Sequence, residues 1–557
     1  MKKQIDIFYF LLMSLSFFFS IKEGLIAQEQ TVGLFLNDSS SYQGYTLFIP
    51  KTNTTTYLID NMGRVVHTWE GEYNPAASAY FLEDGTLLRS SLLPDTDGNS
   101  GGFRKVSWNG EILWEVPFGL QHHDLNPLPN GNVIMITTDV ITKNEAIAMG
   151  RDLKILGPRL RSLHIVEVKY VSVDSSEIVW EWWARDHFIQ EYDSTKANYG
   201  IVSDHPELIN FNYPASDAAD WLHPNSIDYN ENLDQVMVSV REISEIWIID
   251  HSTTTEEAAS HSGGKQGRGG DLLYRWGNPQ AYNRGDSSTQ ILYRQHNATW
   301  IKSDCPGAGN ITIFNNGLGR PEGAFSMVEE ITPPVDTSGY YYLVSGLAYG
   351  PNQVTWRYPE ELDTNFFSPN FSSAQRLPNG NTLICSGANG TFFEVTSEGK
   401  IVWWYVNPVT SNGPLRQSDE VADNAVYRCY RYSTDFPGFK GLDLTPGDPI
   451  ELHSDNISDK QTNQMNKYKL YRNYPNPFNC STTIDYYLPE NTVIRLLIYD
   501  LKGNKINTLV HKFQTLGHYQ QQWDGTDYTG KNVSSGIYLV AFITDKYQQS
   551  NKILFLK

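Results

Sequence analysis

The sequence predicts an all-β protein, and three observations carry this prediction. Helical periodicity is hard to find along the 557 residues, whereas short apolar runs separated by turn residues recur throughout. The chain holds 43 Gly and 27 Pro, which favour tight turns. Aromatic residues make up 13% of the chain, as is typical of strands. This length is enough for more than one domain.

The first 27 residues have the pattern of a secretory signal peptide. Lys2 and Lys3 form a basic start, the apolar run of residues 8–21 follows, and a small-residue cleavage site precedes Gln28. A membrane anchor is the alternative, but the run is short for a spanning helix and contains three serines. We therefore expect a protein that is exported through the periplasm and is secreted or held at the cell surface.

A weak repeat extends from about residue 44 to residue 432. One half of the repeat is a pair of apolar strands joined by an Asp-Gly or Asn-Gly turn, which residues 80–88, 126–136 and 376–384 show best. The other half is a strand of β-branched residues that ends in Trp. Six units end in this way, at Trp69, Trp114, Trp180, Trp276, Trp356 and Trp403.

Six units of four short strands predict a six-bladed β-propeller over residues 28–435. The first unit lacks an inner strand, and Ala425–Arg431 is the segment that can supply it and close the ring. Of the four cysteines, Cys385 and Cys429 would then face each other, and a disulfide between them would stabilise the fold by about 4 kcal/mol. Export permits such a bond.

The composition changes after residue 435. Residues 436–465 suit a linker, and residues 466–557 form a separate β module with alternating strands. The motif Tyr471-Arg-Asn-Tyr-Pro-Asn-Pro-Phe-Asn479 resembles the C-terminal sorting domain of proteins exported by the type IX secretion system. That resemblance implies a small immunoglobulin-like β-sandwich, recognition by the type IX machinery and removal of the module after export. The alternative is an ordinary β-sandwich that binds a ligand.

Histidines stand at recurring places in the repeat. His123, His223 and Ser372 each lie eight residues before a turn residue, at the start of a predicted innermost strand. His296 opens the fifth unit, although its turn is displaced and it is out of this register. Innermost strands line the channel of a propeller, so we expect these side chains to converge at one mouth.

Arg241 is predicted to join them, because it lies eighteen residues after His223 on the strand that returns to the same mouth. Its guanidinium matches the oxygens of a sulfate or phosphate. Three histidines can also hold zinc. We predict no metal and no cofactor, since no carboxylate stands in a ligand pattern and the arginine would repel a cation. The plainest alternative is that the histidines only cap turns.

Four blocks in series resemble the bacterial arylsulfate sulfotransferases. They are His122-His123-Asp124, Asp220-Trp-Leu-His-Pro-Asn-Ser226 with Ser239-Val-Arg241, Gln295-His296-Asn297, and residues 371–380. The resemblance spans most of residues 44–432. It implies a six-bladed propeller and the transfer of a sulfuryl group between phenols, by a ping-pong mechanism and without 3′-phosphoadenosine-5′-phosphosulfate.

The resemblance also implies roles for single residues. His296 would be the nucleophile that is transiently sulfurylated, and Arg241 the positive clamp. His223 and His123 would contact the sulfuryl group or transfer a proton. The remaining positions would bind substrate, namely Asn225, His122, Ser372 and Ser373.

Competing functions remain open. A net charge of −20 makes a nucleic-acid partner unlikely on physical grounds. A non-catalytic extracellular propeller that binds glycan or protein would use the histidines structurally, and an aryl sulfate hydrolase would replace the phenol by water. Quinoprotein dehydrogenases share Trp-bearing repeats but need more blades and a cofactor site.

Overall fold

The predicted strands form in the computed structural model, which describes residues 30–94, 101–157, 159–214, 219–361, 363–452, 468–471, 473 and 475–556. The chain divides into a large unit, Ser40–Leu415 with Val421–Glu451, and a small unit, Met1–Ser39 with Arg416–Glu420 and Leu452–Lys557. Residues 436–451, assigned to a linker by their composition, belong to the large unit, where Phe439 stacks on Phe81. The predicted signal peptide lies outside the described residues.

Short strands dominate the chain as far as residue 433. In order they are β1 (Gly33–Asn37), β2 (Gly44–Pro50), β3 (Thr56–Asp60), β4 (Val65–Trp69), β5 (Pro75–Phe81), β6 (Leu87–Ser91), β7 (Gly102–Val106), β8 (Ile112–Pro117), β9 (Gln121–Pro127), β10 (Val133–Thr142), β11 (Arg159–Ser172), β12 (Ser175–Trp183), β13 (Phe188–Ile189), β14 (Ile209–Asn210), β15 (Pro224–Asn230), β16 (Gln235–Val240), β17 (Glu245–Asp250), β18 (Tyr274–Trp276), β19 (His296–Trp300), β20 (Ile311–Asn315), β21 (Met327–Ile331), β22 (Trp356–Tyr358), β23 (Ser373–Arg376), β24 (Thr382–Ser386), β25 (Thr391–Val395), β26 (Ile401–Val406), β27 (Val409–Thr410), β28 (Gly413–Pro414) and β29 (Val426–Ser433). Two short helices, α1 (Lys143–Ala148) and α2 (Thr255–Ala258), begin with capping boxes.

Six antiparallel sheets, S1 to S6, make up most of the described large unit, and each contains four of its strands. S1 is β29-β2-β3-β4, S2 is β5–β8, S3 is β9–β12, S4 is β15–β18, S5 is β19–β22, and S6 contains β23–β26. The prediction that a late strand completes the first sheet is confirmed, because β29 pairs with β2 from Gly44 opposite Ser433 onward. The first strands of the sheets contact one another in succession, and β23 contacts β29 in turn.

The six tryptophans of the repeat join each sheet to the next. Each indole Nε1 donates a hydrogen bond of 2.8–3.2 Å to the following sheet or to the segment beside its outer strands. The pairs are Trp69 to Ser107 O, Trp114 to Ser176 Oγ, Trp180 to Thr253 Oγ1, Trp276 to Pro351 O, Trp356 to Ser397 O and Trp403 to Asn61 O. The last bond runs from S6 back to S1, so these contacts form a closed cycle. This all-β arrangement is propeller-like.

The small unit is a second all-β body. Its strands after residue 467 are β30 (Lys469–Leu470), β31 (Thr482–Leu488), β32 (Thr492–Asp500), β33 (Lys505–Gln514), β34 (Gly517–Trp523), β35 (Gly536–Ile543) and β36 (Gln548–Phe555). They form the sheets β30-β31-β34 and β33-β32-β35-β36 around an apolar core that includes Phe478, Trp523 and Phe542. Over the described residues, no helix is long and apolar enough to cross a membrane.

Candidate functional site

Hydrogen bonds between neighbouring first strands define which positions are equivalent in S3 to S6. Asp124 Oδ2 accepts from Ile227 N, Ser226 Oγ accepts from Ala298 N, and Asn297 Oδ1 accepts from Ala374 N, all at 3.0–3.1 Å. The residues one place earlier are therefore equivalent, namely His123, Asn225, His296 and Ser372. The predicted register is wrong in two respects. His296 is in register with His123, and His223 lies two residues upstream of the position that Asn225 takes.

The backbone is in the left-handed region at several of these strand entries. His123, His223, Asn297 and Ser372 have φ angles of 56°, 45°, 48° and 89°. Residues other than glycine adopt such angles rarely, and functional sites are where they concentrate. The strand register shifts at the same places in S3, S4 and S5. These irregularities turn the side chains away from the regular face of each strand.

Three histidines from S3 and S4 meet at one place. The ring centroid of His123 is 4.3 Å from that of His122 and 4.9 Å from that of His223. His123 Nδ1 lies 3.0 Å from His122 Nδ1. His223 Nδ1 lies 2.6 Å from Asp220 Oδ2, and a carboxylate can only accept, so this nitrogen carries a proton. Two of the histidines predicted to converge, His123 and His223, are thus together, and His122 joins them.

His296 is buried at the start of β19, with 4% of its surface exposed. Asn316 Nδ2 donates to Ser368 O at 2.7 Å and to Phe371 O at 3.2 Å, so the oxygen of this amide must face His296. His296 Nδ1 lies 2.7 Å from Asn316 Oδ1 and must therefore be the protonated nitrogen. Nε2 is therefore left with its lone pair.

Burial and neighbouring positive charge favour the neutral forms of His296 and His123. Burial lowers the pKa of His296 well below its usual value, and the positive charge of Arg241 lowers it further, against the bond to Asn316. Burial and the rings of His122 and His223 likewise lower the pKa of His123. Burial alone would raise the pKa of Asp220, but the neighbouring His122 ring and the hydrogen bond from His223 hold it far below its usual value. A neutral His296 is a ready nucleophile at neutral pH.

Arg241 follows β16, as the sequence predicts, and its backbone N–H donates to His223 O at 3.2 Å. The guanidinium donates to Glu242 Oε1 and, through Nη2, to Asn370 Oδ1 at 3.3 Å. These bonds hold the side chain at the site, where it acts on His296. The Arg241 cation and His296 are thus neighbours.

Asn225 lies between His123 and His296 in the equivalent series. Its Nδ2 donates to Gln295 O at 2.7 Å, while its buried Oδ1 forms no hydrogen bond within the described residues. Ser372 is turned to its own sheet, where its Oγ donates to Ser368 Oγ at 2.9 Å and accepts from Gly387 N at 3.0 Å. Ser373 is buried opposite Cys385. The structure shows no contact of either serine with the histidines.

Sequence reasoning missed three residues that hold this site. Asp220 and Asn316 orient His223 and His296. Arg428 donates to Asp124 Oδ2 at 2.6 Å and to Asn225 O at 2.7 Å, which links the closing strand β29 to S3 and S4. A carboxylate three residues before His223 was a usable signal for Asp220. Asn316 and Arg428 carried none, because their partners are distant in sequence.

The predicted disulfide is not present, and all four cysteines are thiols in the structure. Burial raises the pKa of Cys385, and an interaction with the neighbouring Cys429 thiol raises it further. The two strands do meet as expected, with the side chains side by side.

Two groups of side chains have the composition of a metal site among the described residues. His122, His123 and His223 each offer a ligand atom, and these atoms lie within 4.8 Å of one another. His187, His261 and Asp271 form the second group. The sequence analysis expected no carboxylate among these ligands. Asp220 nevertheless lies beside the first group, with its Oδ2 3.7 Å from His122 Nε2.

Family comparison agrees with these blocks of residues. Residues 28–428 match the family model described as Arylsulfotransferase (ASST). The chain belongs to the arylsulfotransferase family. Over 182 residues it is 27% identical to the arylsulfate sulfotransferase AssT of Escherichia coli O6:H1, a match that covers 31% of this chain and 29% of that protein. The chain therefore matches less than a third of that relative's length.

Other similarities are more distant. Residues 480–545 match the family model described as FlgD Ig-like domain. A protein of unknown function from Bacteroides caccae has a TM-score of 0.38 at 13% identity, covering 70% of this chain and 99% of its own. A streptogramin B lyase has a TM-score of 0.32 at 10% identity, with 68% and 84% covered. These two structures carry no argument about function.

Proposed function

We propose that this arylsulfotransferase-family protein moves a sulfuryl group from an aryl sulfate to a phenolic acceptor through a sulfohistidine at His296, without 3′-phosphoadenosine-5′-phosphosulfate. The observation that carries the proposal is the state of His296. Its Nδ1–H is held by Asn316, so Nε2 keeps a lone pair in a buried place beside Arg241. The proposed scaffold is a six-bladed propeller made of S1 to S6.

The first half-reaction forms an N–S bond and breaks an S–O bond. His296 Nε2 attacks sulfur, and the electron pair of the S–O bond leaves with the phenol oxygen. A protonated His223 supplies a proton to that oxygen, because the Asp220 carboxylate holds its Nδ1–H and leaves Nε2 to donate. His123 is the alternative proton carrier, but its burial and its histidine neighbours favour the neutral form.

The second half-reaction is the reverse with a new phenol. The acceptor oxygen attacks sulfur, His223 removes the phenolic proton, and the N–S bond breaks to restore neutral His296. Arg241 stabilises the negative oxygens of the sulfuryl group in both steps. The amide of Asn225 lies in the same series of positions and is proposed to contact these oxygens, as is His122. Two half-reactions through one covalent state predict ping-pong kinetics.

Release of 4-nitrophenol from 4-nitrophenyl sulfate tests this function against its alternatives. Release that depends on a second phenol supports transfer. Double-reciprocal plots of rate against the concentration of one substrate should then be parallel at different fixed concentrations of the other. Release without an acceptor would show the hydrolase. A folded protein that releases none under either condition would favour the non-catalytic binder.

The C-terminal module is proposed to direct type IX secretion and surface or extracellular location. The support is the Asn-Tyr-Pro-Asn-Pro-Phe-Asn motif of residues 473–479, together with the compact β body that the described residues after 467 form. Deletion of residues 466–557 should leave the remainder in the periplasm of a type IX-competent host. Equal export of the truncated and the full chain would contradict this assignment.

A further inference from the structure

We infer that His122, His123 and His223 form a binding site for a divalent transition-metal ion such as Zn²⁺, and that an ion there blocks sulfuryl transfer. The three rings present ligand atoms within 4.8 Å of one another. Imidazole is a preferred ligand of Zn²⁺, and three histidines leave a fourth position open for water or an anion. The metal-binding part of this inference does not depend on the proposed function.

The hydrogen bonds of the rings leave lone pairs for an ion. His122 Nδ1 lies 2.9 Å from Pro224 O, and a carbonyl only accepts, so this nitrogen is protonated and Nε2 is not. His223 Nδ1 donates to Asp220, which again leaves Nε2 with its lone pair. The one proton on His122 Nδ1 is shared between Pro224 O and His123 Nδ1, 2.9 and 3.0 Å away, so His123 Nδ1 is an acceptor. Its lone pair becomes available to an ion when that proton turns fully to Pro224 O. Each ring therefore has one unprotonated nitrogen that an ion can use.

The surroundings of the rings are those of histidines that bind metals. Such histidines almost always donate their second N–H to a carboxylate or a backbone carbonyl, which fixes the tautomer and the ring orientation. Asp220 does this for His223, and Pro224 O does it for His122. Asp220 Oδ2 also lies 3.7 Å from His122 Nε2, so a carboxylate stands next to the cation site.

The second group of potential ligands lacks this property. His187 Nδ1 lies 2.8 Å from Asp271 Oδ1, and its Nε2 lies 2.9 Å from Ala258 O. Both nitrogens face oxygens that only accept, so the ring has no lone pair to give without breaking a buried contact. The first group is thus the one that an ion can enter with little rearrangement.

An ion at this site would interfere with transfer for a simple reason. His123 and His223 are the residues proposed to exchange protons with the phenols, and a coordinated nitrogen can neither donate nor accept a proton. The ion would also attract the sulfuryl oxygens away from His296. Inhibition should therefore be reversible on chelation, unlike the loss caused by a changed nucleophile.

Titration of the metal-free full chain with Co²⁺ and with Zn²⁺ tests the inference. We expect one ion per chain, with the visible absorption of nitrogen-bound Co²⁺, displaced by Zn²⁺. His122→Gln and His223→Gln should each weaken binding by at least about 100-fold, and Asp220→Asn by about 10- to 100-fold. His205→Gln, at an exposed histidine outside both groups, is the matched control. Thermal unfolding establishes that each variant is folded.

The inference is overturned if the folded wild type binds no ion, or if the His122 and His223 variants bind as the wild type does. Loss of binding in His261→Ala alone would assign the ion to the other group and overturn it as well. Zn²⁺ bound at one equivalent without slowing transfer would overturn the inhibitory role. A chain that binds the ion but transfers nothing after EDTA would reject the proposed function instead.

Discussion

The outer edges of the six sheets and the entries of their first strands differ in how far they use the same residue type at equivalent positions. At the outer edges, one residue type is used six times, and each Trp donates to the next sheet. At the equivalent inner positions of S3 to S6, four places hold His123, Asn225, His296 and Ser372. Indoles thus repeat where each sheet contacts the next, whereas residue types differ at the inner positions within one shared geometry, and the proposed chemistry uses three of those positions.

The two regions also differ in how their polar groups are satisfied. The indoles bond mainly to carbonyls, a neutral contact worth about 1 kcal/mol each. The inner region holds Arg428, Asp124 and four imidazoles, and leaves the buried Asn225 Oδ1 without a hydrogen bond among the described residues. Unpaired polar atoms in a buried place are costly, and a site that must receive a substrate is a reason to keep them.

The largest expected effect is at His296. His296→Asn removes the proposed nucleophile while keeping a polar side chain, so kcat/KM for 4-nitrophenyl sulfate and a phenol should fall by at least about 10⁴-fold. The melting temperature should change little. A variant that kept a tenth of the wild-type rate would show that His296 is not the nucleophile, and the proposed difference between the two regions would then be wrong.

A stability effect of similar rank is expected at His251, which lies between S3 and S4. Its nitrogens are each 2.9 Å from a carboxylate, of Asp234 and Glu167. Burial alone would lower the pKa of His251, but these bonds raise it to about 9. The folded pKa exceeds the unfolded one of about 6.5, so the stabilisation is complete below that pH and is lost as pH rises through 9.

The free energy of unfolding should therefore fall by on the order of 3 kcal/mol across this window. Denaturant unfolding of the wild type and of His251→Gln at pH 6 and pH 10 measures it, and the variant should show a smaller fall. His205→Gln is again the control. An identical pH dependence of the unfolding free energy in the wild type and His251→Gln would show that this ion cluster does not stabilise the contact between the sheets.

Asn316 fixes the tautomer of His296 in the inner region, and substitutions there test this role. Asn316→Ala frees Nδ1 of His296 and permits the wrong tautomer, so kcat should fall by about 100-fold. In Asn316→Asp the carboxylate favours the protonated ring, and the acidic limb of the pH–rate profile should move to higher pH. Asn310→Ala is the control, because Asn310 precedes β20 whereas Asn316 follows it, and this variant should keep the wild-type pH–rate profile. Unchanged profiles in both Asn316 variants would reduce Asn316 to a structural residue.

The smallest effect concerns ring closure. Trp403→Phe keeps an aromatic side chain but removes the hydrogen bond from the indole Nε1 to Asn61 O, and should destabilise the fold by about 1–2 kcal/mol. Trp404→Phe is the matched control, since that neighbouring side chain is 40% exposed. Transfer at temperatures well below melting should be unaffected in both. A loss of activity in Trp403→Phe at full stability would contradict the separation of the two regions.

Much of the fold follows from local patterns. Turn residues and the terminal Trp predicted the strands, and the missing inner strand predicted its replacement by β29. The register of the site did not follow. Spacing from a turn residue aligns His223 with His123, but the hydrogen bonds between sheets place Asn225, two residues later, at that position.

The partners of the site residues were harder still. His123, His223, His296 and Arg241 could be named because each stands in a motif. Asn316 and Arg428 act through contacts to residues about 20 to 300 positions away, which a single sequence does not encode in any local pattern. The disulfide failed for a different reason, since topology brings two cysteines together without requiring that they be oxidised.

The central claim is the covalent state of His296, and rapid mixing with 4-nitrophenyl sulfate in the absence of a phenol tests it most directly. We predict a burst of one 4-nitrophenol per active site and an acid-labile, base-stable mass increase of one SO₃ group on the peptide that contains His296. Addition of a phenol should discharge the group to the acceptor. No burst and no modified peptide, or a sulfuryl group on another residue, would contradict the account.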